Sequence, residues 1–573
     1  PPPPAGPAPP VKRAQAELPP FLQAKRAIEP PVFVAREREL AELERHLEAA
    51  LSKQGRVVFV TGGAGSGKTA LLQEFARRAQ ARHPDLIVAG GRGNAHTGAG
   101  DPYLPFREIL GLLSGDIEAQ WAAGALTQEE ARRLWRLLPL TTEALLKEGS
   151  DLLGLFVPGV RLLERAQQAS RADEDPTWLV QLQNLVTDRA TPEGAGLEAS
   201  GLSGPKPSAL FDQYTRVLQT LARKTPLVLA LDDLQWADPA STSLLFHVGR
   251  HLTGSRILIL AAYRPEEVAI GRDDQRHPLA PVIGELQRQF GDILVDVDRA
   301  ESRAFVQALL DSEPNRLGAV FREALHRHSQ GHALFTVELL QGMQERGDLL
   351  LDDQRRWIQG PSLDWEMLPA RVEAVLAERI DRLSQPLRDI LSVAAVQGET
   401  FTAEVVSRLQ ASRNRELVRI LGTTLDRKHR LVAAHGIQHL GDQRLSQYRF
   451  RHSLYQRYLY HSLDPVERAY LHEEVAGALE ALYGSAGGDT SSIALQLAWH
   501  YEEAGIVERA IDNLRQAGER ALRLSAYEEA IAHLRHGLDL LITLPASPVR
   551  DGQELVLQLA LGRAWLAKGT PIP

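Results

Sequence analysis

The stretch Gly62-Gly63-Ala64-Gly65-Ser66-Gly67-Lys68-Thr69 constrains this chain more than any other. It fits the pattern G-x-x-x-x-G-K-[ST]. It stands between a short apolar run, Val57 to Val60, and a segment with helical apolar spacing, Ala70 to Ala79. Strand, glycine-rich loop and helix form the context in which this pattern cradles phosphate. Glycines let the loop curl until successive backbone N–H groups point inward. Lys68 brings a compact positive charge, the Thr69 hydroxyl is a ligand for Mg²⁺, and the helix beginning near Ala70 adds its dipole. The alternative, a glycine-rich turn with an exposed lysine, does not need the flanking strand and helix.

A loop of this kind belongs to a parallel sheet, and further apolar runs supply one. Leu86–Ala89, Leu227–Leu231, Ile257–Ala261 and Ile293–Val297 read as strands, with helical spacing before and between them. Strands alternating with helices predict an α/β P-loop fold whose parallel sheet is covered on both faces. Roughly 130 residues separate the second and third strands. They read as a helical insertion over about 100–210, with a Gly/Pro/Ser-rich break near Ala195–Ser208.

The third strand ends in Asp232-Asp233, the acids such a site needs. Asp232 is the candidate to hold Mg²⁺, usually through water, together with Thr69, and Asp233 the candidate to orient or deprotonate the attacking water. The fourth strand runs into Arg264, placed to sense a terminal phosphate. His96 and the segment Asp101–Phe106 follow the second strand, where they either face the nucleotide or pack the core. His326, His328 and His332 lie close together, but no acidic ligand sits beside them on the required face, so they read as a histidine cluster and not a metal site.

Composition narrows the remaining chemistry. There is no cysteine, which excludes disulfides, zinc thiolates and thiol nucleophiles. A net charge of −8 gives no overall pull toward nucleic acid or an acidic membrane. No apolar run is long enough to span a bilayer, and a cytoplasmic location is expected. We divide the chain into a Pro-rich linker (1–31), a P-loop ATPase domain (32–300), a helical lid (301–368), a mixed segment (369–462) and a helical array (463–573). The chain has no initiator Met and stops just after a helical pattern, so a piece of a longer protein is expected.

Three motifs in order carry a resemblance: Phe33-Val34-Ala35-Arg36-Glu37 before the first helix, the phosphate loop, and Leu231-Asp-Asp-Leu-Gln-Trp-Ala-Asp238. Together they resemble the STAND class of signal-transduction ATPases, and more narrowly the Orc1-like AAA ATPase module of large bacterial regulators of the LuxR and SARP types. The resemblance covers about residues 32–545. It implies an ASCE-type P-loop domain followed by a winged-helix domain over 369–462 and TPR-like helical repeats. It implies ATP/ADP with Mg²⁺ as cofactors. Nucleotide contacts are carried over to Phe33 and Val34 on the adenine side, to Gly62 through Ala70 on the phosphates, and to Gly331 in Gly331-His-Ala-Leu-Phe335, which resembles the family's G-x-P motif. Ala35 stands where the family usually has Gly, and Ala333 replaces the proline. Arg264 matches the family's sensor arginine. Tyr448–Tyr455 fits the closing strand and helix of the winged helix.

The resemblance implies a signalling switch with slow ATP hydrolysis, the regulatory part of a bacterial transcriptional regulator. Its expected input is a protein or small-molecule inducer at the repeats, with nucleotide-dependent self-association. No Lys/Arg-rich face points to direct DNA contact by these residues. The competing readings are an ATP-hydrolysing remodelling motor, and a TPR scaffold with a degenerate nucleotide site. The intact Lys68, Thr69 and Asp232 speak against the latter.

Overall fold

The computed structural model describes residues 33–94, 101–170, 177–189, 205–270, 276–299, 302–365, 368–369, 371–440, 443–485 and 490–569, together with Leu18, Pro19 and Leu22. The linker 1–31, apart from those three residues, His96, and most of the Gly/Pro/Ser-rich break lie outside the described residues.

Five strands form one parallel sheet: β1 (Arg56–Thr61), β2 (Ile87–Arg92), β3 (Leu227–Asp232), β4 (Ile257–Tyr263) and β5 (Leu294–Asp296), in the order β2-β3-β4-β1-β5. This is the α/β P-loop arrangement expected from the sequence. The strand interiors are mostly apolar because both faces are covered, and the polar residues stand at the strand ends. Val57 and Phe59 face one core with Leu227, Leu229, Ile257 and Ile259. Val58 and Val60 face the other with Leu258 and Leu260, under helices α1 (Glu37–Leu51) and α2 (Lys68–Arg82). Register places the C-terminal ends of β1, β3 and β4 side by side, which brings the phosphate loop, Asp232-Asp233 and Arg264 to one edge.

β2 runs three residues further than the expected Leu86–Ala89, through Gly90 and Gly91 to Arg92. Those glycines read as strand breakers in sequence. In the fold Gly91 permits a close approach, since a Cβ there would stand 2.0 Å from the Pro105 carbonyl oxygen. The insertion between β2 and β3 is helical, with Leu104–Leu113, Gln128–Glu148, Gly159–Ala169 and Pro207–Lys224 among its members. Within Asp101–Phe106, Tyr103 and Phe106 are buried in this core.

Helices Ser302–Asp311, Ala319–Ser329 and Ala333–Arg346 share a small core with Phe335, Leu339 and Met343. A hairpin, β6 (Leu349–Leu351) and β7 (Trp357–Gln359), stands within the segment 301–368, where helices were expected to dominate. Gly347, at φ 81°, ends the preceding helix and turns the chain back. Next come helices Val372–Asp381 and Gln385–Gln397, strand β8 (Thr400–Thr402), helices Ala403–Leu409 and Asn414–Arg419, and the antiparallel pair β9 (Val432–Leu440) and β10 (Gln443–Phe450). β10 also pairs with β8. Helix Ser453–Ser462 leads into a helical C-terminal region: Pro465–Ser485, Ala494–Glu503, Val507–Arg523, Tyr527–Ile542 and Pro548–Lys568. Ile511, Leu534 and Leu557 from these helices join the same core as the sheet and the insertion, so the C-terminal helices fold back onto the α/β domain. No helix among the described residues is long and apolar enough to cross a membrane.

Candidate nucleotide-binding site

β1 delivers the loop Gly62–Gly67, and α2 begins at Lys68. Gly65 and Gly67 adopt φ of 78° and 97°, the left-handed region that costs glycine nothing. A Cβ on Gly67 would point into open space, so its conformation, not crowding, calls for glycine. The Lys68 ammonium donates to the carbonyl oxygens of Gly62 at 2.7 Å and Gly63 at 2.8 Å, which holds it over the loop. Burial, and then the charge of Arg264, push its pKa below the usual lysine range, against the pull of Asp232, Asp233 and Asp298. The N–H groups of the first turn of α2 have no acceptor within the helix, which suits an anion at that end.

The two acids at the end of β3 occupy different environments. Asp232 Oδ2 accepts the Thr69 hydroxyl at 2.7 Å and the Arg92 guanidinium at 2.7 Å. Burial pushes its carboxyl up, but the charge and hydrogen bond of Arg92 and the Thr69 hydroxyl outweigh that and leave it below the usual range. Asp233 sits at φ 54°, a left-handed turn that bends it away from the strand. Its Oδ1 accepts the Gln235 amide at 2.9 Å. Burial and then the neighbouring Asp232 carboxylate raise its pKa. One acid is thus held as an anion and its neighbour is poised to take a proton, the division that a metal ligand and a base require.

Arg264 follows β4 and is buried. Its guanidinium pairs with Glu267 at 2.7 Å and lies 3.7 Å from Asp233 Oδ1 and 3.4 Å from the Ser453 hydroxyl. Phe33 and Val34 line a cavity of about 350 Å³ with Gly65–Ala70, Asp233 and Arg264. Asp232, Gly62 and Gly63 lie behind it through the contacts above, and Ala64 through its carbonyl contact with His332. Gly331 lines an adjoining cavity of about 440 Å³ with Arg36, Asp298 and His328, and not this one. Ala35 takes φ 52°, the backbone that a glycine at that position would adopt freely.

The structure adds residues that sequence reasoning passed over. His332 Nδ1 accepts the Phe335 N–H at 3.3 Å, so its Nε2 carries the proton and donates to the Ala64 carbonyl at 2.9 Å. Leu334 N–H donates to the Gly65 carbonyl at 3.2 Å. The Gly331–Phe335 motif therefore clasps the phosphate loop itself. His328, another member of the histidine cluster, is spent on the Pro369 carbonyl at 2.9 Å. His452 lines the cavity. Burial, then Arg264, His332 and Lys68 hold its pKa down to about 3, and its Nδ1 accepts the Leu454 N–H, so a neutral ring carries its proton on Nε2. Arg92 and Glu399 complete the wall. The Tyr448–Tyr455 motif was the available signal for His452; Arg92 was hidden behind Gly90-Gly91.

These donors fit a magnesium nucleotide: a lysine over a glycine loop, a hydroxyl and a depressed carboxylate sharing one position, and an apolar end at Phe33, Val34, Phe305 and Leu309.

Residues 32–260 match the AAA ATPase domain family. A curated relative, an uncharacterized protein of Rhizobium meliloti (strain 1021), is 25% identical over 539 residues, 92% of this chain; the chain spans only 45% of that relative's length. Among solved structures, a STAND protein with a tetratricopeptide repeat sensor from Pyrococcus horikoshii is similar at 13% identity and a TM-score of 0.33, over 94% of this chain and 75% of that one. The Aeropyrum pernix Orc1 protein, solved in complex with DNA, is similar at 13% identity and a TM-score of 0.29, over 75% of this chain and 94% of that one.

Proposed function

We propose that this chain, whose residues 32–260 match the AAA ATPase domain family, is an ATP-binding signalling switch with slow hydrolysis. One observation carries the reading: three units meet at the nucleotide cavity. The sheet brings Lys68, Thr69, Asp233 and Arg264; the helices after it bring Ala333 and Leu334; the segment 371–462 brings Glu399, Arg451, His452 and Ser453. A ligand that grows or loses a phosphate there acts on the arrangement of all three. We read 369–462 as a winged helix, because two helices, a strand, two further helices and a two-stranded hairpin follow one another there. Its hairpin is engaged internally, with Arg161 donating to the His439 carbonyl at 2.7 Å, which argues against DNA reading by that edge.

In this reading Thr69, together with Asp232 through water, would hold Mg²⁺, which would neutralise charge on the β- and γ-phosphates. Lys68 and Arg264 supply fixed positive charge, and neutral His452 donates from Nε2. Asp233 accepts the proton of the attacking water. Its short side chain, engaged by Gln235 and close to Arg264, suits slow turnover. Arg264 lies in the same chain, so no arginine from a second copy is required, which favours a switch over a motor. The transcriptional output and an inducer at the C-terminal helices rest on the motif resemblance.

The test is to denature the purified chain and identify released nucleotide by chromatography, with Lys68→Ala in parallel. Retained ADP in the wild type and none in the variant is expected, together with different proteolysis patterns in ADP and in a non-hydrolysable ATP analogue. Identical patterns in both would sink the switch.

A further inference from the structure

We propose that this chain binds the phosphate backbone of duplex DNA through a row of exposed arginines on the helix that runs from Asn414 to Lys428. The site is separate from the nucleotide cavity and does not depend on that cavity acting as a switch.

The helix opens as an α-helix, Asn414–Arg419, and continues as a π-helix, Ile420–Lys428. Leu417, Leu421 and Leu425 are buried in the core beneath it. Arg415, Arg419, Thr423 and Arg427 each stand two positions before a leucine of that row or two after its last, which on a helix is the opposite side, and all four are exposed. An α-helix carries a row of residues four apart about 40° round its axis at each step. The wider π turn carries the row back, so the change of helix type keeps Arg415 and Arg427 on one face. Arg413 precedes the row, Lys428 and Arg430 follow it, and these too are exposed.

None of these six cations makes an ion pair among the described residues. Exposed arginines on other helices of the chain do: Arg77 pairs with Glu74, Arg288 with Glu285 and Arg382 with Glu378. Here Arg415 has Arg419 four positions on, a like-charge neighbour that weakens a helix. The acids within the helix are Glu416, on an adjoining flank, and Asp426, which is taken by Arg451. A chain of net charge −8 thus concentrates unneutralised positive charge on one strip. In sequence these cations are diluted among aliphatic residues, and only the helix lines them up. The structure so corrects the expectation that no Lys/Arg-rich face is present.

The chemistry of the strip selects its partner. Guanidinium groups fit phosphate oxygens two at a time. The step from Arg415 to Arg427 spans at most about 18 Å along the axis, and a duplex carries a charge every 1.7 Å or so over that length, about 1.7 Å per charge. Residues 413–430 contain no Phe, Tyr or Trp, and the leucines of the helix face inward. A protein partner or a nucleic-acid single strand needs an apolar or aromatic anchor, and a membrane needs an apolar face to bury; the strip has neither. Between Arg419 and Arg427 its surface is low: a Cβ on Gly422 would meet nothing, and the Thr423 hydroxyl is spent on the Arg419 carbonyl at 2.7 Å. A helix outlined by charge in this way enters the major groove of B-form DNA, whereas the A-form groove of RNA is too narrow for it.

The experiment uses the full chain and a fluorescein-labelled DNA duplex of mixed sequence, with binding read by anisotropy across a salt series. Six phosphate contacts predict that the logarithm of the binding constant falls with that of salt at a slope approaching about −5. Arg415→Gln, Arg419→Gln and Arg427→Gln together should weaken binding about tenfold or more at moderate salt and make the slope shallower by about 2 to 3. The same three positions changed to Lys keep the charge and should stay within a few-fold of wild type. Arg136→Gln, Arg223→Gln and Arg563→Gln remove as much charge from exposed positions elsewhere and should leave binding unchanged. If the glutamine triple melts below wild type, Arg413→Gln with Arg430→Gln, outside the helix, carries the same test, with a slope shallower by about 2.

No binding of wild type to the duplex at low salt would overturn the proposal, as would a folded glutamine triple with an unchanged slope. A second duplex of unrelated sequence should bind alike; a strong preference would mean that bases are read and not phosphates, and would overturn it too. Equal or tighter binding to an RNA duplex would overturn the choice of DNA. Binding to vesicles of phosphatidylcholine and phosphatidylserine with none to the duplex would make the partner a membrane and end the proposal.

Discussion

At the residue scale, the adjacent acids Asp232 and Asp233 have their pKa values driven apart by what touches them. Arg92 and Thr69 serve the first; burial and the charge of the first serve the second. A carboxyl raised above the usual range keeps its proton to higher pH than its neighbour does. Hydrolysis should therefore rise with pH as Asp233 deprotonates, and level off above its pKa. Asp233→Asn should bind nucleotide within a few-fold of wild type, lose roughly 10²–10⁴ in single-turnover phosphate release, and lose the pH dependence. An asparagine variant that keeps the rate and the profile would remove Asp233 from the chemistry. Both acids, Lys68, Thr69 and Arg264 were legible in the sequence, since each ends or follows an apolar strand. Arg92 was not, because Gly90-Gly91 reads as a break when the contact that requires it, Pro105 against Gly91, lies on another element.

Elements were legible where one local rule governs them. Five strands and the phosphate loop follow from apolar runs and glycine placement. The hairpin β6–β7 and the clasp of Gly331–Phe335 on the phosphate loop depend on partners distant in sequence, and periodicity carries no information about those. The joint between the helices after the sheet and the segment 371–462 is of the same kind. Arg379 pairs with Glu338 on helix Ala333–Arg346, donates to the Tyr455 hydroxyl at 2.6 Å and donates to the His429 carbonyl at 2.7 Å. Tyr455 also donates to Glu338. The Arg379 and Glu338 side chains are only 4% and 8% exposed, so removing one leaves the other charged and buried. Arg379→Met should cost about 3 kcal/mol or more. Calorimetry should show the transition containing this joint move down by about 5 °C or more. Arg379→Met with Glu338→Leu should recover much of that, because two apolar partners leave no orphaned charge. A single variant that melts like wild type would show that the joint does not hold the two units together.

At the scale of the whole molecule, the C-terminal helices reach the ATPase domain at the end of the motif that carries its acids. Asp238 caps helix Pro239–Arg250, accepting the Ser241 N–H at 2.7 Å and the Ser241 hydroxyl. Glu529, on helix Tyr527–Ile542, accepts the Ala240 N–H at 2.6 Å. Two carboxyls are therefore buried together where the helical region meets the sheet domain, beside Tyr103. Burial, then the Asp238 charge, pushes Glu529 up to about 8; burial pushes Asp238 up to about 6. The sign follows from linkage. A carboxyl whose pKa is raised by docking favours the docked form while protonated. Its contribution is fully present below the ordinary values of 4.5 and 3.8 and is lost as pH rises through about 6 and about 8. The C-terminal helices should thus hold the ATPase domain more weakly at pH 8.5 than at pH 5.5. Amide exchange at Ala240 and along helix Tyr527–Ile542, corrected for its intrinsic pH dependence, should show protection falling across that window. Glu529→Gln keeps the acceptor for Ala240 N–H without the charge, and should hold protection flat and high. Glu529→Ala removes the acceptor and should lower protection at every pH. If wild type and Glu529→Gln lose protection in parallel, the interface does not sense this proton, and the helices are held by the apolar contacts of Ile531 and Leu534 alone.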